Sequence, residues 1–364
     1  MKCDNGRITL FDWPNFLILV FLILFTASAR IWHVKSAGTG TTAEGTTWAN
    51  ALNCDSMIHV LENDVSAGDI FFVKDSGTLT LAENLDCSAR DGSATAPITI
   101  IGVKGSTTND SEAIVFSDWS VDSADFSFFD CAAYQFKVGD YYILRNFSFQ
   151  GSIANTVSTG SVCVVVNCKF NQDNGSSANR QVLQPGTYTT VSKCEFLSAN
   201  CGGVNSSSFS KLLFCTFHDM PDATYGQGVL IGGPYSVILS CIFDNIKNIA
   251  VKNTTNNYVI ITNNTFHNCA TDVAATSATG YACINNIHDS TKTEAYIWTT
   301  QTNINFFWAN HCGRCVDYVE NVDSTGVFAD WSLTTGDPLF TNPATFDFTL
   351  QAGSPCLNTG TEAP

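Results

Sequence analysis

Between Tyr142 and Asp289 apolar and polar residues alternate in short runs that never settle into a helical period. Six of these runs are versions of one another: NCKFNQ from Asn167, KCEFLS from Lys193, FCTFHD from Phe214, SCIFDN from Ser240, TNNTFHN from Thr262 and INNIHDS from Ile284. Aligned on the first inward position, one column reads Phe147, Cys168, Cys194, Cys215, Cys241, Asn264, Asn285. The residue two places later reads Phe149, Phe170, Phe196, Phe217, Phe243, Phe266, Ile287. Alternation of period two predicts a strand, with both columns pointing inward and the residue between them outward. There Lys169 and Glu195 should meet on neighbouring repeats.

The repeats return every 21 to 26 residues, a period that marks stacked units rather than a closed globule. Two places after the aromatic comes Asp219, Asn245, Asn268 or Asp289, a residue type that leaves a strand readily and caps its own backbone. Each period therefore holds this strand, a turn and further short strands, as in GVLIGG (Gly228–Gly233) ahead of YSVILSCIF. Short strands with like side chains recurring at one place predict an all-β fold, a parallel β-solenoid whose coils rise by about 4.8 Å. The phenylalanines then stack as an inner column, and Asn264 and Asn285 are expected to bond along the axis as an asparagine ladder.

With these motifs in view, the chain resembles the right-handed parallel β-helix family, the pectate-lyase-like group, over nearly all of its length after the leader. The front, IWHVKSAGTGTTAEGTTWANAL with GDIFFVKDSGTLT and APITIIGVKG, is similar to the opening of extracellular members. The resemblance implies a short N-terminal capping helix within Thr47–Glu62, a first coil strand starting at Gly68-Asp69, and a first full coil at Tyr141–Gly151. DPLFTNPATFDFTLQAGSPCLNTG (Asp337–Gly360) resembles the terminal motif of surface-associated members. The expected organisation is a signal peptide over 1–29, cap and first coils over 30–135, central coils over 136–310, and last coils with a closing segment over 311–364. About ten coils are expected in all.

Charge and export narrow the function. Thirty-three acidic against 17 basic residues give a net charge of −16, which excludes a nucleic-acid partner, since nothing replaces counterions along a phosphate backbone. A polyanionic substrate would need a local basic patch or a bridging divalent cation. Lys2 and Arg7, the apolar block Phe16–Phe25 and the small residues Ala27-Ser28-Ala29 predict a secretory signal, so the mature chain is expected to be secreted or at the cell surface, with no membrane span. A membrane anchor is the competing reading, and the block is short for one.

Of 15 cysteines, the fourteen beyond Cys3 suggest disulfides in an exported protein. Cys168, Cys194, Cys215 and Cys241 are expected to stay reduced, because one coil rise is wide for a bridge. Disulfides are expected instead among Cys54, Cys87, Cys131, Cys201, Cys269, Cys312, Cys315 and Cys356. HCGRC (His311–Cys315) reads as a structural disulfide or a capping loop.

Enzymes of the resembled family work on polysaccharides in a groove along one face. Lyases there use a Lys or Arg base beside carboxylates holding Ca²⁺, and hydrolases use paired aspartates. Adjacent Asp-Asp pairs, Gly-His-Gly, Arg-Ile-Lys, Arg-x-Pro-x-x-Arg and Asp-Pro-His are all missing from the sequence, so no family catalytic residue is carried over. What remains is a column just past the aromatic: His218, Asp244, His267 and His288. Asp219 and Asp222 lie in the loop FHDMPDATYGQG (Phe217–Gly228), with Lys247 and Lys252 following. The structural alternative is that these polar residues are simply solvated at a strand-to-turn boundary. Phe214, Tyr225, Trp298 and Trp308 are candidate platforms for sugar rings.

The expected role is an exported or cell-surface protein that binds a polysaccharide, a cell-surface glycan or another surface without catalysis. His218, Asp244, His267, His288 and Tyr225 would then contact it. The enzymatic alternative is a Ca²⁺-dependent polysaccharide lyase or related carbohydrate-active enzyme, with Asp219 and Asp222 on the metal and Lys247 or Lys252 in the catalytic role.

Overall fold

A computed structural model describes residues 3–4, 7–8, 29–40, 45–74, 77–104, 106, 127–151, 156–172, 181–198, 202–254, 257–275, 280–298, 305–308, 310–314, 317–320, 327–329 and 334–357. The expected signal peptide, 1–29, lies almost wholly outside them. Three parallel sheets run the length of the described chain. The first, of 12 strands, extends from Ile31–Val34 to Val327–Ala329; the second, of 11, from Leu79–Thr80 to Thr334–Thr335; the third, of 10, from Leu85–Cys87 to Asp317–Glu320. One coil shows the plan: Val237–Leu239 in the first sheet, Ile242–Ile246 in the second, Ile249–Asn253 in the third. Each strand pairs with the same strand of the next coil, so inward positions repeat in register.

The phenylalanine column is the spine. Phe149, Phe170, Phe196, Phe217, Phe243 and Phe266 pair in turn, with ring centroids 4.7–5.4 Å apart and nearly parallel. Parallel strands fix the coil rise near the sheet spacing, so identical rings must lie offset face to face.

One coil later the alignment slips. Thr265 pairs with Ile287 and Phe266 with His288, so Ile287 is not the next inward aromatic position. His288 is: its ring stacks on Phe266 at 4.9 Å. The asparagine ladder moves with it, because Asn264 bonds Asn286 and Asn286 bonds Asn310. Asn285 instead occupies the corner between first and second sheets, as Asn263 does. That corner demands a left-handed residue in every coil: Asn146, Asn167, Lys193, Phe214, Ser240, Asn263 and Asn285 have φ of 52–61°. Asparagine suits it, since its short polar side chain lowers the cost of the left-handed region.

The capping helix is shorter than the expected span, running over Cys54–Asn63, where Asn53 accepts the Ser56 N–H at 2.8 Å as an N-cap. Gly68-Asp69 opens the second strand of the first sheet, Ile70–Lys74, because Ile31–Val34 already precedes it. Buried Asp69 ties this end together by accepting from Arg30, Trp32 and Ser66. At the other end, Phe340–Asn342 and Asp347–Leu350 form an antiparallel hairpin that folds back over the second sheet. Its Phe346 meets His218, and its Phe340 and Phe348 meet His267.

Cys168, Cys194, Cys215 and Cys241 are buried free thiols that bond carbonyls of the first sheet and the corner, as Cys194 does to Ser192. Burial pushes the Cys194 and Cys241 thiols well above their ordinary value. The expected disulfides at Cys54, Cys87, Cys131, Cys269 and Cys356 are not formed, since all five are free. Four of these, Cys54, Cys87, Cys131 and Cys269, are buried in the core as small apolar side chains. Cys312 is disulfide-bonded; Cys201 and Cys315 lie outside the described residues. Among the described residues no helix is long and apolar enough to cross a membrane.

Candidate functional site

Outward positions on the second sheet build the predicted polar column, with one change of membership. Register sets His218 beside Asp244, Asp244 beside His267, and His267 beside Asp289. His288 does not belong to it. It is buried inside the coil, where Nδ1 lies 2.8 Å from Asp272 and Nε2 2.7 Å from the Tyr296 hydroxyl. Reaching no solvent, it cannot contact a polymer.

Imidazoles and carboxylates alternate along the column. His218 lies between two carboxylates, Nε2 2.9 Å from Glu195 Oε1 and Nδ1 3.0 Å from Asp219 Oδ2. Lys169 Nζ reaches the same Glu195 oxygen at 3.1 Å, the expected neighbour pair. Hydrogen bonding to His218, helped by Lys169, holds the Glu195 carboxyl below its usual range. Partial burial opposes charge on His218, yet its two carboxylate partners raise its pKa. Further along, His267 Nδ1 meets Asp244 at 2.6 Å, and Arg314 pairs with Asp289 at 2.7 and 3.0 Å. Burial would raise the Asp289 carboxyl, but Arg314 keeps it low. The C-terminal hairpin covers this stretch: the His267 side chain is 18 % exposed, with Phe348 packed at 5.4 Å. The His218 end opens into a cleft of about 320 Å³ flanked by Phe214 and Phe346.

Asp219 and Asp222 already serve as hydrogen-bond acceptors within the fold. Asp222 Oδ1 accepts the N–H groups of Thr224 and Tyr225, both at 2.7 Å, so it caps its own loop and also fixes Tyr225. Asp219 is taken by His218 and Asn245. Among the described residues no three His, Cys, Asp or Glu side chains converge as metal ligands. Lys247 donates to Asn245 Oδ1 at 2.7 Å, on the same edge as Asp219. Lys252 lies on the third sheet, a different face from the Asp219 column. The side chains of Trp298 and Trp308 lie outside the described set.

That third face carries the larger opening. Its outward column runs Asp86, Lys137, Ser158, Gln184, and two strands past Asn205 it reaches Lys252. Around the first part lies a groove of about 360 Å³ lined by Gln135, Lys137, Ser158, Thr159, Gln184 and Ser207, with Pro185 and Gly186 at its floor. A Cβ on Gly186 would come within 2.2 Å of the Gly160 carbonyl oxygen, so glycine lets adjacent coils close up there. Lys137 pairs with Asp86 at 3.0 Å at one end. The sequence signal for these residues was the repeat itself: 137, 158, 184 and 205 follow the same alternating intervals of 21 and 26 as the cysteine column.

No protein-family model matches the chain, and no curated protein does. Solved structures do. The pectate lyase Pel9A superposes with a TM-score of 0.55 at 12 % identity, covering 93 % of either chain. A mannuronic acid specific polysaccharide family 6 lyase from human gut microbiota gives 0.54 at 12 %, over 82 % of this chain and 66 % of that one. A mutant of the PL6 family alginate lyase AlyGC gives 0.53 at 13 %, over 82 % and 40 %. At such identities the likeness is one of architecture, and it makes this chain a right-handed parallel β-helix on the pectate-lyase-like plan.

Proposed function

We propose that the protein is an exported carbohydrate-active enzyme that holds a polysaccharide against the third-sheet groove and cleaves it by elimination. The observation that carries this reading is the lining of the groove: amides and hydroxyls from successive coils, with Lys137 the single titratable side chain among its lining residues. Such a surface satisfies sugar hydroxyls, and the coil rise presents donors at about 4.8 Å intervals along a chain. Lys137, released from the Asp86 ion pair and acting as its neutral amine, is then the residue to accept the proton next to a uronate carboxyl; the electron pair left on carbon forms the new C=C bond as the neighbouring C–O bond breaks, and the departing oxygen takes its proton from solvent. The architectural neighbours above carry lyase names, which favours the enzymatic alternative over the non-catalytic surface role. Asp219 and Asp222 have no part in it, and Lys252 would meet only a polymer reaching about 24 Å along the column.

The test is incubation with pectate, alginate, glycosaminoglycans and neutral glycans, reading unsaturated ends by ultraviolet absorbance. The expected result is release by the parent protein and at least about 100-fold less by Lys137→Ala. Reducing ends without unsaturation would replace elimination by hydrolysis. Polymer retained but uncut would return the protein to the binding role.

A further inference from the structure

We propose that the cleft between Phe214 and Phe346 is a second carbohydrate site, one that takes a single uncharged sugar unit on a face of the coil remote from the third-sheet groove. Phe214 is a residue type its position does not favour. At the corner between first and second sheets the chain must adopt positive φ, and four of its seven occupants are asparagine, with one serine and one lysine. Phe214 stands there at φ 57° and is 55 % exposed. A bulky side chain in the left-handed region is disfavoured, and exposure gives it no core to repay that strain.

A second aromatic column provides the control. Tyr188, Phe209, Tyr235 and Tyr258 also take positive φ, at the corner between third and first sheets. Their rings cover one another at 4.5–5.1 Å, so stacking accounts for them. Phe214 stacks on no ring among the described residues, and more than half of it is exposed.

Facing it across the cleft is Phe346, the apex of the C-terminal hairpin, also at positive φ (59°) and 42 % exposed. Its ring meets His218 edge to face at 4.6 Å. Thr216, Glu195 and His218 line the cleft between them. Both contacts to Glu195 fall on Oε1, which leaves Oε2 without a partner among the described residues, an acceptor for a hydroxyl. Two apolar rings flanking a few oriented polar groups match the apolar face and hydroxyl rim of a pyranose. Two positive charges on Lys169 and Lys193 stand against two negative ones on Glu195 and Asp219, so the cleft offers little to a strongly charged ligand.

Affinity electrophoresis of the full chain through gels holding a galactomannan, a xylan, a mixed-linkage β-glucan, pectate or alginate tests this. Phe214→Asn is the chosen variant, since asparagine suits the corner and the fold should be kept, as circular dichroism will confirm. The expected result is retardation of the parent by at least one neutral polymer, about tenfold weaker in Phe214→Asn and in Phe346→Ala, and unchanged in Lys137→Ala. Equal retardation of Phe214→Asn and the parent overturns the proposal. So does a parent retarded by none of the neutral polymers, or a loss that follows Lys137→Ala instead. Polymer cleavage is read separately and should persist in Phe214→Asn, so failure here leaves the groove reading standing.

Discussion

Replacing Asn286 by alanine should damage the coil far more than replacing Asn285, although the two are adjacent and chemically identical. Asn286 is buried, and its Oδ1 accepts both the backbone N–H and the side-chain N–H of Asn264 at 3.0 Å. Its Nδ2 donates to the Ile261 carbonyl at 3.0 Å and to Asn310 Oδ1 at 3.1 Å. After truncation, Asn264 Nδ2 still reaches the Ile238 carbonyl, and Asn310 Oδ1 still accepts the Asn286 N–H. The Asn264 N–H and the Ile261 carbonyl lose their asparagine partner. The Ile261 carbonyl keeps its ladder bond from the Ile284 N–H, so the orphaned Asn264 N–H costs about 1–3 kcal/mol and the other lost asparagine bonds add about 1 kcal/mol. Asn285 is exposed, its side chain donates to Asn263 Oδ1 at 2.7 Å, and its replacement would cost about 1 kcal/mol, mostly for alanine at positive φ. Guanidinium unfolding followed by circular dichroism compares the two midpoints, and hydrogen exchange localises the loss to coils around 261–310. Should Asn285→Ala prove as damaging as Asn286→Ala, the register assigned to this end of the helix is wrong.

Two further outcomes follow from the ionic column and the thiols. His218 has a raised pKa, so its contribution is complete below its unfolded value and fades as pH rises through the higher folded one; Glu195 and Asp219 have lowered values, so theirs is complete above the ordinary carboxylate range and fades in acid. The gap in thermal midpoint between parent and His218→Gln should therefore be widest between about pH 5 and 6.5 and narrow by pH 8, and a gap independent of pH would refute this. For the thiols, a maleimide reagent should leave Cys168, Cys194, Cys215 and Cys241 unlabelled in the native protein and label them once it is unfolded; rapid native labelling in that column would contradict their burial.

The solenoid was legible because its signal is periodic: a stacked phenylalanine needs only its own recurrence to be seen. The slip at Ile287 has a physical cause: hydrophobicity alone favours isoleucine over the neighbouring histidine as the inward residue. Matching Asn263-Asn264 to Asn285-Asn286 would have put His288 inside, and only the structure shows what makes a buried histidine tolerable there. Asp272 and Tyr296 come from the third sheet of neighbouring coils, and their approach to His288 is invisible to a ruler laid along one column. The candidate site was less legible for a related reason. Burial of His267 and Asp289 depends on the C-terminal hairpin, a segment with no counterpart inside the repeat. The groove residues lay on the ruler throughout, but Ser158 and Gln184 are unremarkable residue types until the fold puts them side by side.

The hairpin also explains why two faces of one coil would do different work. A β-helix offers three sheets of similar shape, and nothing in the repeat alone chooses among them. By laying Phe340, Phe346 and Phe348 on His218 and His267, the closing segment covers the second face at those coils and walls one side of the Phe214 cleft. Under the proposal above, an extended polymer is kept off those coils while a terminal or side-branch sugar enters the cleft. The third face keeps its outward column from Lys137 to Gln184 open, with donors spaced coil by coil, and this is where an extended chain gains by making the same contact repeatedly. Removing the hairpin should therefore widen what the second face can accept without altering how the third-sheet groove handles its polymer.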